Sequence, residues 1–83
     1  MRIFYSPKFL SSFKKLSEET QNLFRIKEII FRENPFDHQL KTHKLKGKNE
    51  WSLCVTYKIR VIFIFENDIY IFVNIGDHSI YKK

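Results

Sequence analysis

Eighty-three residues, 43% of them hydrophobic and 17% aromatic, are enough for one domain (1–83) with a single two-layer core and leave no room for a second. Fifteen Lys and Arg against nine Asp and Glu give a formal +6 and a pI near 9.6, so polyanions are the partners to expect, either nucleic acid or an acidic protein. The lone Cys54 excludes a disulfide framework, and no Cys/His cluster has zinc-site spacing, so neither metal nor other cofactor is expected.

The opening MRIFYSPKFL meets a Ser-Pro break too early to hold the apolar stretch of a signal peptide or a spanning segment. A cytoplasmic protein with no membrane partner is expected. Arg2 to Tyr5 predict a short first strand, after which Ser6 and Pro7 supply the N-cap and first position of a helix. Phe9, Phe13 and Leu16, with Leu10, form its apolar stripe. Ser17 caps a second helix, Glu18 and Glu19 suit its positive end, and Leu23, Ile26 and Ile30 predict its core face. Asn34 and Pro35 end it. The resulting helical hairpin needs a partner layer.

Phe36 to Asn49 has no regular period and reads as a loop with room for a short helical turn. It carries Lys41, Lys44, Lys46 and Lys48 with no acid among them. Such a run is either a footprint for an RNA backbone or a solvated loop. Lys14, Lys15, Arg25, Lys27 and Arg32 either extend that patch or solubilise the helices. Trp51 to Tyr57, Ile59 to Phe65 and Ile69 to Ile75 are rich in Val, Ile, Phe and Tyr, and their short connections allow only antiparallel hairpins. The expected fold is α+β in the order β-α-α-β-β-β, the helical hairpin packed on one face of a small twisted, mainly antiparallel sheet.

A two-residue turn at Asn67 and Asp68 sets Glu66 opposite Ile69 and Arg60 opposite Ile75. With Tyr57 and Lys58 turning the other hairpin, Val55 falls opposite Arg60. In that register Trp51, Leu53, Val55, Ile62, Ile64, Ile71 and Val73 share one face, and Val61, Phe63, Phe65, Tyr70 and Phe72 the other. Two helices cover one face only, so the second is expected as an apolar protein-binding patch. Arg60, a cation among apolar neighbours, calls for an anionic partner.

The last strand breaks at Gly76 and delivers Asp77, His78, Ser79, Ile80 and Tyr81. A strand that stops on Gly and presents an imidazole and a phenol three residues apart fixes where those groups sit. Together with Arg60 and the lysine-rich KTHKLKGK segment, it points to a small cationic protein that handles RNA phosphates.

The element order, the H-x-L-K-G segment (His43 to Gly47), the W-S-L-x-V strand (Trp51 to Val55), Arg60 opening the next strand and the terminal G-x-H-x-x-Y (Gly76 to Tyr81) together resemble the RelE/ParE superfamily, within it the mRNA interferases of RelE and YafQ type. The resemblance covers almost the whole chain. It implies a type II toxin neutralised by a cognate antitoxin protein and cleaving mRNA in the ribosomal A site. It further implies catalytic roles for His43 and His78, an aromatic partner in Tyr81, and Arg60 on the scissile phosphate. Ser79 stands where many relatives carry Asp, and the further His and Asp of the YafQ middle hairpin have no clear equivalents here.

RNA cleavage by attack of the 2′-hydroxyl needs a base, an acid for the leaving 5′-oxygen, and fixed positive charge for the phosphorane. Imidazole titrates near ~6.5 in peptides, so His78 can be base or acid, with His43 the second candidate. Arg60 offers a planar fork for two phosphate oxygens, and Tyr81 can stack on a base or donate a proton. Each has a plainer alternative: His78 a surface histidine, Arg60 a structural bridge to Asp77, Tyr81 a cap on the core. Two other functions share the scaffold. One is ParE-type inhibition of DNA gyrase through the helical hairpin; the other is RNA binding without cleavage.

Overall fold

In the computed structural model, which describes residues 1–47 and 49–81, β1 (Arg2–Tyr5) runs directly into α1 (Pro7–Lys14). The Ser6 hydroxyl accepts the Phe9 N–H at 3.0 Å, and Pro7, at the helix start, has no orphan N–H to satisfy. Ser17 caps α2 (Glu18–Glu33) in the same way, through the Thr20 N–H at 3.1 Å. The helix ends where Asn34 turns extended ahead of Pro35. A 3₁₀ turn (His38–Leu40) leads into β2 (His43–Lys44), a two-residue edge strand inside the segment expected as a loop. β3 (Trp51–Cys54), β4 (Arg60–Glu66) and β5 (Ile69–Gly76) follow, and a second 3₁₀ turn (His78–Tyr81) comes after them. The sheet order is β1-β5-β4-β3-β2, with only β1 and β5 parallel. The architecture is therefore the expected one with an added edge strand. Among the described residues no helix is long and apolar enough to cross a membrane.

Tyr5, Phe72, Phe63 and Trp51 are successive cross-strand partners and form an aromatic row under the helices. Phe31 of α2 meets Phe63, Tyr70 and Phe72 edge-on, with ring centroids 5.1, 5.2 and 5.1 Å away. Phe24 packs against Phe9 and Phe72. This corrects the face predicted for α2. Leu23 and Ile26 are 36% and 54% exposed, and of the predicted trio only Ile30 packs on the core. A phenylalanine ring removes more area from water than a branched aliphatic, so the helix rotates to bury Phe24 and Phe31.

Two one-residue shifts separate the observed register from the expected one. Val55 to Ile59 form a loop longer than a two-residue turn, with the Val55 N–H donating to the Ile59 carbonyl at 2.8 Å, and Cys54 rather than Val55 lies opposite Arg60. A slip of one residue exchanges faces, so Trp51, Leu53 and Val55 turn to the core while Ser52 and Cys54 join the open face. The turn at Asn67 and Asp68 forms as expected, both at positive φ. A bulge beside Ile62 and Phe63 then absorbs Val73 and moves Arg60 from Ile75 to Gly76. The groups the bulge frees are taken up locally. Ser6 donates to the Val73 carbonyl at 2.6 Å, and the Asn74 side-chain oxygen accepts the Ile75 N–H at 2.9 Å and the Ser12 hydroxyl at 2.8 Å.

The open face is less bare than expected. Ile62 is buried, Ile64 and Ile71 are half-covered, and Phe4, 47% exposed under the Arg2 guanidinium, marks its uncovered end.

At the edge of the covered face the Tyr5 phenol donates to the Glu28 carboxylate, with Arg32 alongside. Burial first, then Glu28, raises the Tyr5 pKa above its ordinary 10.0. Folding therefore favours the protonated phenol, and its contribution is fully present below pH 10.0 and lost as pH rises through the raised value. Urea unfolding from about pH 9 to 11 is expected to show a shallower alkaline loss of stability in Tyr5→Phe than in the parent. Tyr70, raised by burial and by Asp68, keeps the remainder.

Candidate active site

Cross-strand partners share a face, which decides what meets at the open end of the sheet. Cys54, Arg60 and Gly76 form one row, and His43, Ser52 and Ile62 the next. Arg60 is half-buried. Its Nη1 donates to Cys54 Sγ at 2.7 Å and to the Thr56 carbonyl at 3.3 Å. Neither partner is a carboxylate. The bridge to Asp77 considered from sequence is not among the ion pairs of the described residues. Asp77 instead accepts the Ser79 N–H at 2.9 Å, and hydrogen bonds from Ser79, then the nearby His78 and Lys58, hold its carboxyl below the usual range.

Gly76 releases the chain from the ladder and lets it fold back over the open face. A Cβ at this position would stand 2.7 Å from the Ile80 γ2-methyl, so only a bare Cα fits beneath the turn. The turn carries Tyr81 to Ser52, a fully buried residue on β3, and the two hydroxyls share a hydrogen bond of 2.6 Å. The His78 ring lies nearly parallel to that of Tyr81, 6.1 Å between centroids and 20° between planes. His43, cross-strand from Ser52, stands on the same face, its Nδ1 3.2 Å from the Lys41 carbonyl. His43, Tyr81 and His78 are therefore linked through Ser52 on the open face, whereas Arg60, one row along, lines a cleft that does not include His78. Gly76→Ala is expected to destabilise the chain by about 1–3 kcal/mol through overpacking against Ile80, and the double variant with Ile80→Ala to recover part of it, as read by denaturant unfolding.

The basic residues divide. Lys41 reaches a cleft of about 360 Å³ that Arg60 also lines, together with Lys27, Gln39 and Thr56. Beside it lies a second cleft of about 490 Å³, walled by Lys58, Asp77, His78 and Ser79. Lys44 and Lys46 instead surround a separate hollow with Gly47 and Asn49. Lys44 is next to His43 in a strand and so faces the other way. Lys48 lies outside the described residues. Sequence reasoning did not single out Ser52, and it named Lys27 only among the helix cations that either extend the basic patch or solubilise the helices. Ser52 alternates with Trp51 and Leu53, a signal that marks its face only once the register is known.

No family model matches the chain, and no curated protein is significantly similar in sequence. Solved structures do match. YafQ from E. coli strain BL21(DE3) superposes with a TM-score of 0.81 at 19% identity, over 100% of both chains. The RelB–RelE antitoxin–toxin complex from Methanococcus jannaschii gives 0.78 at 17% identity, over 95% of each chain. A YoeB/ParE toxin from Agrobacterium tumefaciens gives 0.78 at 14% identity, over 94% of this chain and 99% of that one. The fold expected from the sequence is thus borne out: this chain shares the fold of these solved toxin structures.

Proposed function

We propose that the chain is the toxin of a type II toxin–antitoxin pair and an endoribonuclease that cleaves mRNA in the ribosomal A site. The observation that carries this reading is Arg60, a cation without a carboxylate partner among the described residues, set in the sheet opposite Gly76, from which the chain leads to His78 and Tyr81. A phosphate at this corner would find the Arg60 fork for the charge that grows on the phosphorane. One imidazole, His78 or His43, takes the 2′-hydroxyl proton, and a second group protonates the departing 5′-oxygen; the products are a 2′,3′-cyclic phosphate and a free 5′-hydroxyl. Lys41, Lys44, Lys46 and Lys48 supply attraction for the RNA backbone.

The antitoxin reading is supported by solved relatives that are toxin–antitoxin complexes. The chain itself leaves Leu10, Leu23, Ile26 and Ile29 exposed on its helical layer. That apolar stripe also favours a second reading, ParE-type binding to gyrase, which needs a protein-docking helix and no imidazole. Inducing the chain in a bacterial host while mapping transcript ends and plasmid supercoiling separates the two. The nuclease predicts growth arrest with new cyclic-phosphate or 3′-phosphate ends inside coding regions and unchanged supercoiling. Intact transcripts with relaxed plasmid would reverse the assignment. Co-expression of a short acidic protein encoded beside the chain is expected to lift the arrest.

A further inference from the structure

The cleft beside Arg60 gathers three cations from three separate elements. Lys27 comes from α2, its Nζ 3.4 Å from the Gln39 carbonyl; Lys41 follows the first 3₁₀ turn at φ 52°; Arg60 opens β4. Among the described residues no Asp or Glu lines the cleft. Mutual repulsion of three cations is relieved by an anion, and a volume of about 360 Å³ admits a phosphodiester with its sugar.

Above this cleft stands Tyr57, 88% exposed at the tip between β3 and β4. The tip is held firmly. The Val55 and Thr56 N–H groups both donate to the Ile59 carbonyl, at 2.8 and 3.2 Å, and the Thr56 hydroxyl accepts from the Lys58 and Ile59 N–H groups, at 3.1 and 3.0 Å. A ring that buries almost nothing adds little to folding. Tyr57 is, however, the common wall of the cationic cleft and the cleft that holds His78.

We propose that Tyr57 and the Lys27–Lys41 end of the cationic cleft form a nucleotide subsite for single-stranded RNA. The base next to the cleavage point stacks on the Tyr57 ring, and the phosphate beyond it rests between Lys27 and Lys41. Arg60, which lines the cationic cleft, stays with the scissile phosphate. This rests on the nuclease reading and adds the residues that seat the neighbouring nucleotide.

Fluorescence anisotropy with a short 2′-O-methyl oligonucleotide, whose blocked 2′-oxygen cannot attack, tests binding apart from cleavage. Tyr57→Ala is expected to weaken binding about five- to hundredfold, and Tyr57→Phe, which keeps the π-face, to bind within about twofold of the parent. Lys27→Ala, with Lys27→Gln as the milder change, is expected to reduce the slope of log affinity against log salt by about 0.7. Parental affinity in Tyr57→Ala, or a parental slope in both Lys27 variants, overturns the subsite. If such variants behave like a parent that binds the probe and cleaves unmodified RNA, only the subsite falls. If the parent binds no oligonucleotide, the nuclease reading falls with it.

Discussion

Replacing His78 by Ala is expected to slow single-turnover cleavage of RNA by about 10²–10⁴-fold, the usual contribution of a positioned acid or base. His78 is exposed, and its ring lies nearly parallel to that of Tyr81 at 6.1 Å. Its loss should therefore move the unfolding free energy by no more than about 0.5 kcal/mol, which keeps the kinetic effect separable from misfolding. The placement comes from the turn after Gly76, pinned at its far end by the Tyr81–Ser52 hydrogen bond. A His78→Ala protein that folds normally and cleaves within threefold of the parent would leave the imidazole without a role in the chemistry.

Arg60→Lys, which keeps the charge, is expected to reduce cleavage by about 10²–10³-fold, the scale seen when one donor to a developing oxyanion is removed. The guanidinium is oriented by Cys54 Sγ and the Thr56 carbonyl through a single nitrogen, Nη1, which leaves the rest of the fork for a ligand. An ammonium cannot satisfy both partners and still offer two parallel N–H groups. If the fork acts on the phosphorane, the loss falls on kcat and leaves KM nearly unchanged; if it only attracts RNA, KM rises and kcat holds. Parallel kcat and KM measurements on Arg60→Lys and Arg60→Ala decide between these roles. Equal kcat in all three proteins removes Arg60 from the reaction.

The local signals were legible because each acts within a few residues. Ser6 with Pro7, Ser17 with its two glutamates, Asn34 with Pro35, and the Asn67–Asp68 turn state their roles through hydrogen bonds and φ values that need no distant partner. The residues expected to carry chemistry, His43, Arg60, His78 and Tyr81, were likewise visible as an order of residue types, although their placement on the sheet was not.

What only the tertiary structure decided is which way each element faces. α2 carries two apolar stripes, and the one with Phe24 and Phe31 went inward because the aromatic row on the sheet was there to receive it. The loop Val55 to Ile59 and the bulge at Val73 each add one residue, and a strand of period two exchanges its faces with every such addition. Those additions bring Arg60 abreast of Cys54 and Gly76 and turn Ser52 toward Tyr81. Lys27 meets Lys41 and Arg60 only once helix, turn and strand have packed together, so no spacing along the chain could announce that cleft. The sequence by itself determined the two helices, the four longer strands, their order and the inventory of reactive groups, because short-range hydrogen bonding and residue chemistry suffice for those, while the edge strand β2 did not show in it. The meeting of those groups depended on long-range packing, in which buried aromatic area and one-residue register shifts outweigh any local preference.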